Sequence, residues 1–195
     1  MKLKCAFLFA SLLAGLSASA ASLPQCPAAG NDTSGCEFLI TVTSVTGGAA
    51  TAFTVSTSSP DLGPYDGADD TLVGILNSSG ATLTSVSLTS PQDIFGFDGD
   101  GICTYIACPG ATDPSGYAPA GVTFSGINAS YTSGTVDFSP GLASGSSTFF
   151  SLEEALTANQ IIIGSASPEP SSVLLLGAGL TVFGAGLKRF RTARK

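Results

Sequence analysis

Two short acidic segments hold most of the chemical capacity of this chain. Asp66, Asp69 and Asp70 stand in Tyr65-Asp66-Gly67-Ala68-Asp69-Asp70-Thr71, and Asp98 and Asp100 in Phe97-Asp98-Gly99-Asp100-Gly101. Carboxylates are hard oxygen donors of the kind that hold calcium, which takes about six to eight oxygens. The spacing is not that of an EF-hand, because Ile102 stands where a third Asp belongs and Pro109 where the bidentate Glu belongs. Asp-Gly pairs also favour tight turns. Two readings therefore stand side by side: a structural calcium held by Asp66, Asp69, Asp70, Asp98 and Asp100, or plain turns.

Other chemistry is largely excluded. The chain has no His, which rules out Ser-His-Asp and Cys-His nucleophiles and His-ligated metals. Asp32-Thr33-Ser34-Gly35 spells the aspartic-protease tetrapeptide, but no second copy exists to share a proton with it, and a turn is expected. Glu153 and Glu154 are adjacent, so they do not flank a glycosidic bond as an acid and a nucleophile would. A hydrolase working with carboxylates alone is the weakest of three functional classes. No cofactor is required by any motif, calcium being the one candidate.

Cys26, Cys36, Cys103 and Cys108 lie outside the N-terminal apolar segment. An even number of cysteines points to disulfides wherever the compartment is oxidising, with three possible connectivities. The local solution, Cys26 with Cys36 and Cys103 with Cys108, closes two small loops. Four thiolates can also hold zinc, but these spacings do not make the usual pair of CxxC knuckles.

The elements that must position these residues read as β-strands. Phe38, Ile40 and Val42 alternate with polar neighbours, as do Phe53 and Val55, and Gly47-Gly48 between the runs predicts a hairpin. Further strands are expected at Thr71 to Leu76, Leu83 to Thr89, Val122 to Ile127, Thr135 to Phe138 and Thr148 to Leu152. Turn signals separate them at Asn77 to Gly80, Asp98 to Gly101, Asp113 to Gly116 and Ser139-Pro140-Gly141. Ser151-Leu152-Glu153-Glu154 fits a capping box, which predicts one short helix over residues 152–158. Many short strands with frequent turns favour an all-β domain, a single β-sandwich or jelly roll over residues 22–165. No fixed-period repeat supports a β-solenoid.

Charge is segregated along the chain. All seven basic residues are Lys2, Lys4, Lys188, Arg189, Arg191, Arg194 and Lys195, whereas the 14 acids lie between Asp32 and Glu169. Nucleic-acid binding, which depends on Lys and Arg against phosphate, is excluded for the acidic part. Residues 1–21 have the layout of a secretory signal: a basic start, the apolar run Cys5 to Leu16, and Ala18-Ser19-Ala20 before the cleavage point. The Sec translocon and signal peptidase are its implied partners.

At the other end Pro168-Glu169-Pro170 precedes an uncharged stretch, Ser171 to Leu187, and then Lys-Arg-Phe-Arg-Thr-Ala-Arg-Lys. Seventeen helical residues span ~26 Å, the short limit for a hydrocarbon core of ~30 Å. Lys188, Arg189, Arg191, Arg194 and Lys195 act as a stop-transfer cluster and hold that end cytoplasmic, which places residues 22–167 outside. This layout over residues 167–195 resembles the PEP-CTERM sorting signal of Gram-negative bacteria. The resemblance implies recognition of Pro168, Glu169 and Pro170 by exosortase, a membrane-embedded cysteine protease or transpeptidase. It also implies passage through the inner membrane and delivery to the cell surface or an extracellular polysaccharide matrix, as in biofilms. The same C-terminal segment occurs on some proteins labelled ice-binding. Residues 32–156, through Gly63 to Ile75, Ile94 to Ile102 and Thr148 to Leu156, also resemble a group of exported PEP-CTERM cargo proteins with no named activity.

These readings predict a non-enzymatic exported surface or matrix protein. The alternative class is a carbohydrate-binding or ice-binding module; a groove lined by Tyr65, Tyr105, Tyr117 or Tyr131 would favour glycan, and a flat array of outward Thr would favour ice.

Overall fold

The computed structural model describes residues 23–58, 62–157 and 159–164. The signal sequence, the Pro168-Glu169-Pro170 motif, the 171–187 apolar stretch and the basic tail lie outside the described residues. Among the described residues no helix is long and apolar enough to cross a membrane.

The fold is all-β. The strands are β1 (Phe38–Thr46), β2 (Ala49–Thr57), β3 (Thr71–Asn77), β4 (Leu83–Thr89), β5 (Val122–Ser125), β6 (Ser133–Leu142), β7 (Ser147–Leu152) and β8 (Ile162–Gly164), with one helical turn, α1 (Ile102–Tyr105), before β5. They form one sheet in the order β5-β6-β4-β2-β1-β3-β7, with β8 added to β4. Two halves of this sheet, β5-β6-β4-β8 and β2-β1-β3-β7, are joined by the single pair Ala49 with Ser85. The two sheets expected of a sandwich are thus one continuous sheet, and its halves enclose a common core. Ile40, Val42, Ile75 and Phe150 from one half meet Leu83, Val86, Leu88 and Val136 from the other. Alternation explains their selection, since residues two apart on a strand face the same side.

The half built on β1, β3 and β7 is covered on its outer face as well. Leu39 and Leu72 pack there against Leu23, Cys26, Cys36, Tyr65 and Ile102. The segment before β1 and the turn at α1 therefore form a second layer, and the disulfides Cys26–Cys36 and Cys103–Cys108 close these two pieces, with Cα separations of 4.9 and 5.4 Å. The pairing is the local one. Asp32 sits in the first piece in a tight turn, its N–H donating to Ala29 O at 2.8 Å and Ala29 N–H returning the bond at 2.8 Å.

Two expectations are corrected. Among the described residues no helix follows Ser151: β7 continues to Leu152, residues 153–154 bend, and Glu154 takes a φ of +88°. The capping pattern yields because Thr71, whose hydroxyl donates to Glu154 O at 2.8 Å and accepts from Leu156 N–H at 3.0 Å, ties this segment to β3. Ser139-Pro140-Gly141 does not end β6 but lies within it. The β4–β6 register slips between Leu83 and Ser85 at that point, and irregular pairing is where a strand tolerates proline.

Candidate functional site

Asp70 and Glu153 are brought together by sheet register. Thr71 pairs with Leu152 at the end of the antiparallel β3–β7 ladder, so the residues just beyond that pair, Asp70 and Glu153, emerge opposite each other. Like charges so placed repel. The turn before β3 fixes Asp70 further: Asp66 Oδ1 accepts from the N–H groups of Ala68, Asp69 and Asp70 at 3.1, 3.2 and 3.0 Å. Tyr65 O–H donates to Asp70 Oδ2 at 2.5 Å.

Tyr117 completes the arrangement from the free edge of β7. Its carbonyl accepts from Ser151 N–H at 2.8 Å, which seats the ring, fully buried, beside the strand end. Its hydroxyl oxygen lies 2.6 Å from Glu153 Oε2, 2.8 Å from Asp100 Oδ1, and 3.3 Å from both Asp70 Oδ1 and Asp98 Oδ1. Asp98 and Asp100 reach it from the loop that leads into α1, where Asp98 Oδ1 accepts from Asp100 N–H at 3.3 Å. A phenol has one proton to donate. Four carboxylates around one hydroxyl therefore hold either extra protons or a cation.

The electrostatics follow from that crowding. Burial pushes the Asp70 carboxyl up to about 7, with the charges of Asp100 and Glu153 adding to it, while the Tyr65 hydrogen bond opposes it. Burial also raises Glu153. The hydrogen bond between the Asp98 and Asp100 carboxyls lowers the first and raises the second, as expected when two acids share a proton. Tyr65 and Tyr117 are pushed far above the usual phenol range, by burial first and then by their acidic partners.

The donor set suits a hard divalent cation. Asp70, Asp100 and Glu153 each offer an oxygen, and these atoms lie within 4.8 Å of one another. Two ligands of one calcium at ~2.3 to 2.6 Å can be no more than about 5 Å apart. Asp98 and the Tyr117 hydroxyl add further oxygens at the same place. Of the five aspartates read from sequence, the structure thus brings Asp70, Asp98 and Asp100 together. Asp66 spends one oxygen on three backbone N–H groups. Asp69 is exposed and its charge acts instead on the neighbouring Glu154, whose carboxyl is raised to about 7 by the hydrogen bond it donates to Asp93, by burial and by nearby acids. Neither Glu153 nor Tyr117 is legible in sequence as a member: the one stands in a pattern that reads as a helix start, and the other lies in a loop whose pairing with β7 only the fold reveals. The sequence signal for Glu153 was its place immediately after a strand.

The surroundings bear on other chemistries. Tyr105, 44% exposed, stands edge-on to Tyr65 at 5.2 Å between ring centroids. A cavity of about 220 Å³ lies where β5, β6 and β7 approach, between Val122, Phe138, Leu142 and Thr148, and shares no lining residue with the acids. Comparison with known proteins adds no relative: no family model, no curated protein and no solved structure matches the chain.

Proposed function

We propose that this chain is an exported, non-enzymatic surface or matrix protein of a Gram-negative bacterium, sorted by exosortase through its C-terminal segment. The observation that carries the reading is the tripartite end of the sequence: Pro168-Glu169-Pro170, the uncharged Ser171 to Leu187, and five cations after it. Two disulfides in an all-β domain fit an oxidising compartment. An acidic domain without a single base from residue 23 to residue 164 suits a hydrated polysaccharide matrix. The alternative of a glycan-binding module draws less support, since Tyr65 and Tyr117 are buried and only Tyr105 and Tyr131 remain exposed for stacking on sugars. Intact mass of the protein released from cells tests the sorting: the chain should end between Ser167 and Ser172. Recovery of extracellular chain that retains Arg194 would overturn the proposal.

A second reading concerns the site itself. Asp70, Asp98, Asp100, Glu153 and Tyr117 form a calcium site that locks two chain segments, the Asp98–Asp100 loop and the loop of Tyr117, to the end of the β3–β7 pair where Asp70 and Glu153 stand. It is favoured by the four carboxylates gathered on one hydroxyl in a region that holds no Lys, Arg or His to neutralise them.

A further inference from the structure

The last strand connects the domain to the proposed sorting segment with very little slack. β8 pairs with β4 through Ile162 with Thr89, Ile163 with Leu88 and Gly164 with Ser87. Only Ser165, Ala166 and Ser167 separate Gly164 from Pro168, and Ser171 opens the apolar stretch. Seven residue steps from Gly164 to Ser171 extend at most ~25 Å. With the apolar stretch in a bilayer, the sheet edge at Gly164 is held within that distance of the lipid.

A backbone-cleaving enzyme takes several residues on each side of its bond as extended chain, and here those residues run directly into a strand that is already paired. We infer that β8 is a releasable strap, whose detachment from β4 governs the rate at which the sorting segment is processed. This rests on the sorting reading above.

The make-up of β8 fits a strap better than a permanent strand. It is three residues long, and the chain before it is held next at Leu156, through the N–H bond to the Thr71 hydroxyl. Its hold on the domain comes chiefly from Ile161 and Ile163, each 5% exposed and both part of the main core, whereas Ile162 is 55% exposed. Releasing residues 157–164 would add eight residues to the tether, roughly 25 Å more of extended reach. The common core of β1, β3, β4, β6 and β7 would stay assembled. Such local opening is the route by which folded proteins expose cleavable chain, and cleavage then follows the population of the open form.

Three full-length chains, expressed in cells that carry the sorting enzyme and followed by pulse-chase, test this. Ile163→Ala weakens the strap; an insertion of about twelve Gly and Ser residues after Ser165 supplies slack without touching it; the third combines both. Each single change should speed loss of the tail by roughly three- to tenfold. The combination should go no faster than the insertion alone, because slack makes release unnecessary. The insertion leaves the core intact, so a folding defect in Ile163→Ala does not decide the matter. Tail loss at the wild-type rate in the insertion variant overturns the strap while leaving the sorting reading in place. Retention of the tail by all chains, wild type included, overturns the sorting reading and the strap with it.

Discussion

Tyr117 has one proton and four carboxylate neighbours, and this imbalance sets what single substitutions should do. In chelator, Glu153→Gln and Asp100→Asn each remove a like charge and supply N–H donors to the remaining oxygens. Each should therefore raise stability by roughly 1 kcal/mol, a few degrees in Tm. In calcium the order reverses, because the same substitutions remove a ligand. Wild type should gain more from calcium than from magnesium at equal concentration or from sodium at matched ionic strength, following RT ln(1 + [Ca]/Kd). The two variants should show only the general salt effect. Asp69→Asn should keep the calcium response, since that side chain is exposed and is not among the carboxylates gathered on the Tyr117 hydroxyl. Thermal melts of the four proteins in the three salts decide it, and an undiminished calcium gain in both Glu153→Gln and Asp100→Asn would remove the cation reading.

Within β3 one position shows how strand and outer layer constrain each other. A Cβ on Gly74 would lie 2.3 Å from Cys36 Sγ and 3.2 Å from Gln25 Cβ. The sulfur cannot swing aside, because Cys36 is bonded to Cys26 and its N–H donates to Leu23 O at 2.9 Å. Gly74→Ala should accordingly lose about 1–3 kcal/mol by overpacking, seen in a denaturant melt as a lower midpoint at unchanged slope. Strands whose two faces differ were readable beforehand. The alternation of Phe38, Ile40 and Val42 marked β1, Gly47-Gly48 marked its hairpin with β2, and Leu83 to Thr89 gave β4 to the residue. Elements fixed by distant partners were not readable. β8 exists because Ile161 and Ile163 find the core beside β4, and the helix expected after Ser151 gave way to the Thr71 anchor more than 80 positions away. The site divides in the same manner. Asp98 and Asp100 announce themselves in one short loop, whereas the meeting of Asp70 with Glu153 follows from a strand register that no local pattern encodes.

Across the whole domain, 13 acids and no base lie between Ser22 and Ser165, so compaction gathers negative charge that only protons, salt or bound cations relieve. The sign of the resulting pH dependence can be worked out. Asp70 and Glu154 titrate at about 7 in the folded protein, against about 4 in an unfolded chain. Between those values the folded state binds more protons than the unfolded one, so their stabilising contribution is complete below pH ~4 and is lost as pH rises through ~7. The slope approaches ~1.4 kcal/mol per pH unit for Asp70, which is buried, and is smaller for the more accessible Glu154. A salt-bridged carboxylate behaves in the opposite sense, adding stability as it ionises. Calcium competes with protons for Asp70, Asp100 and Glu153, and its stabilisation should therefore grow with pH. Melting curves at constant ionic strength should show Tm falling from pH 5 to pH 8 in chelator and falling much less in calcium, with the two curves converging near pH 5. A Tm in chelator that is flat or rising over this range would mean that the carboxylates around Tyr117 ionise without penalty, and that the cluster needs neither proton nor cation to hold its loops.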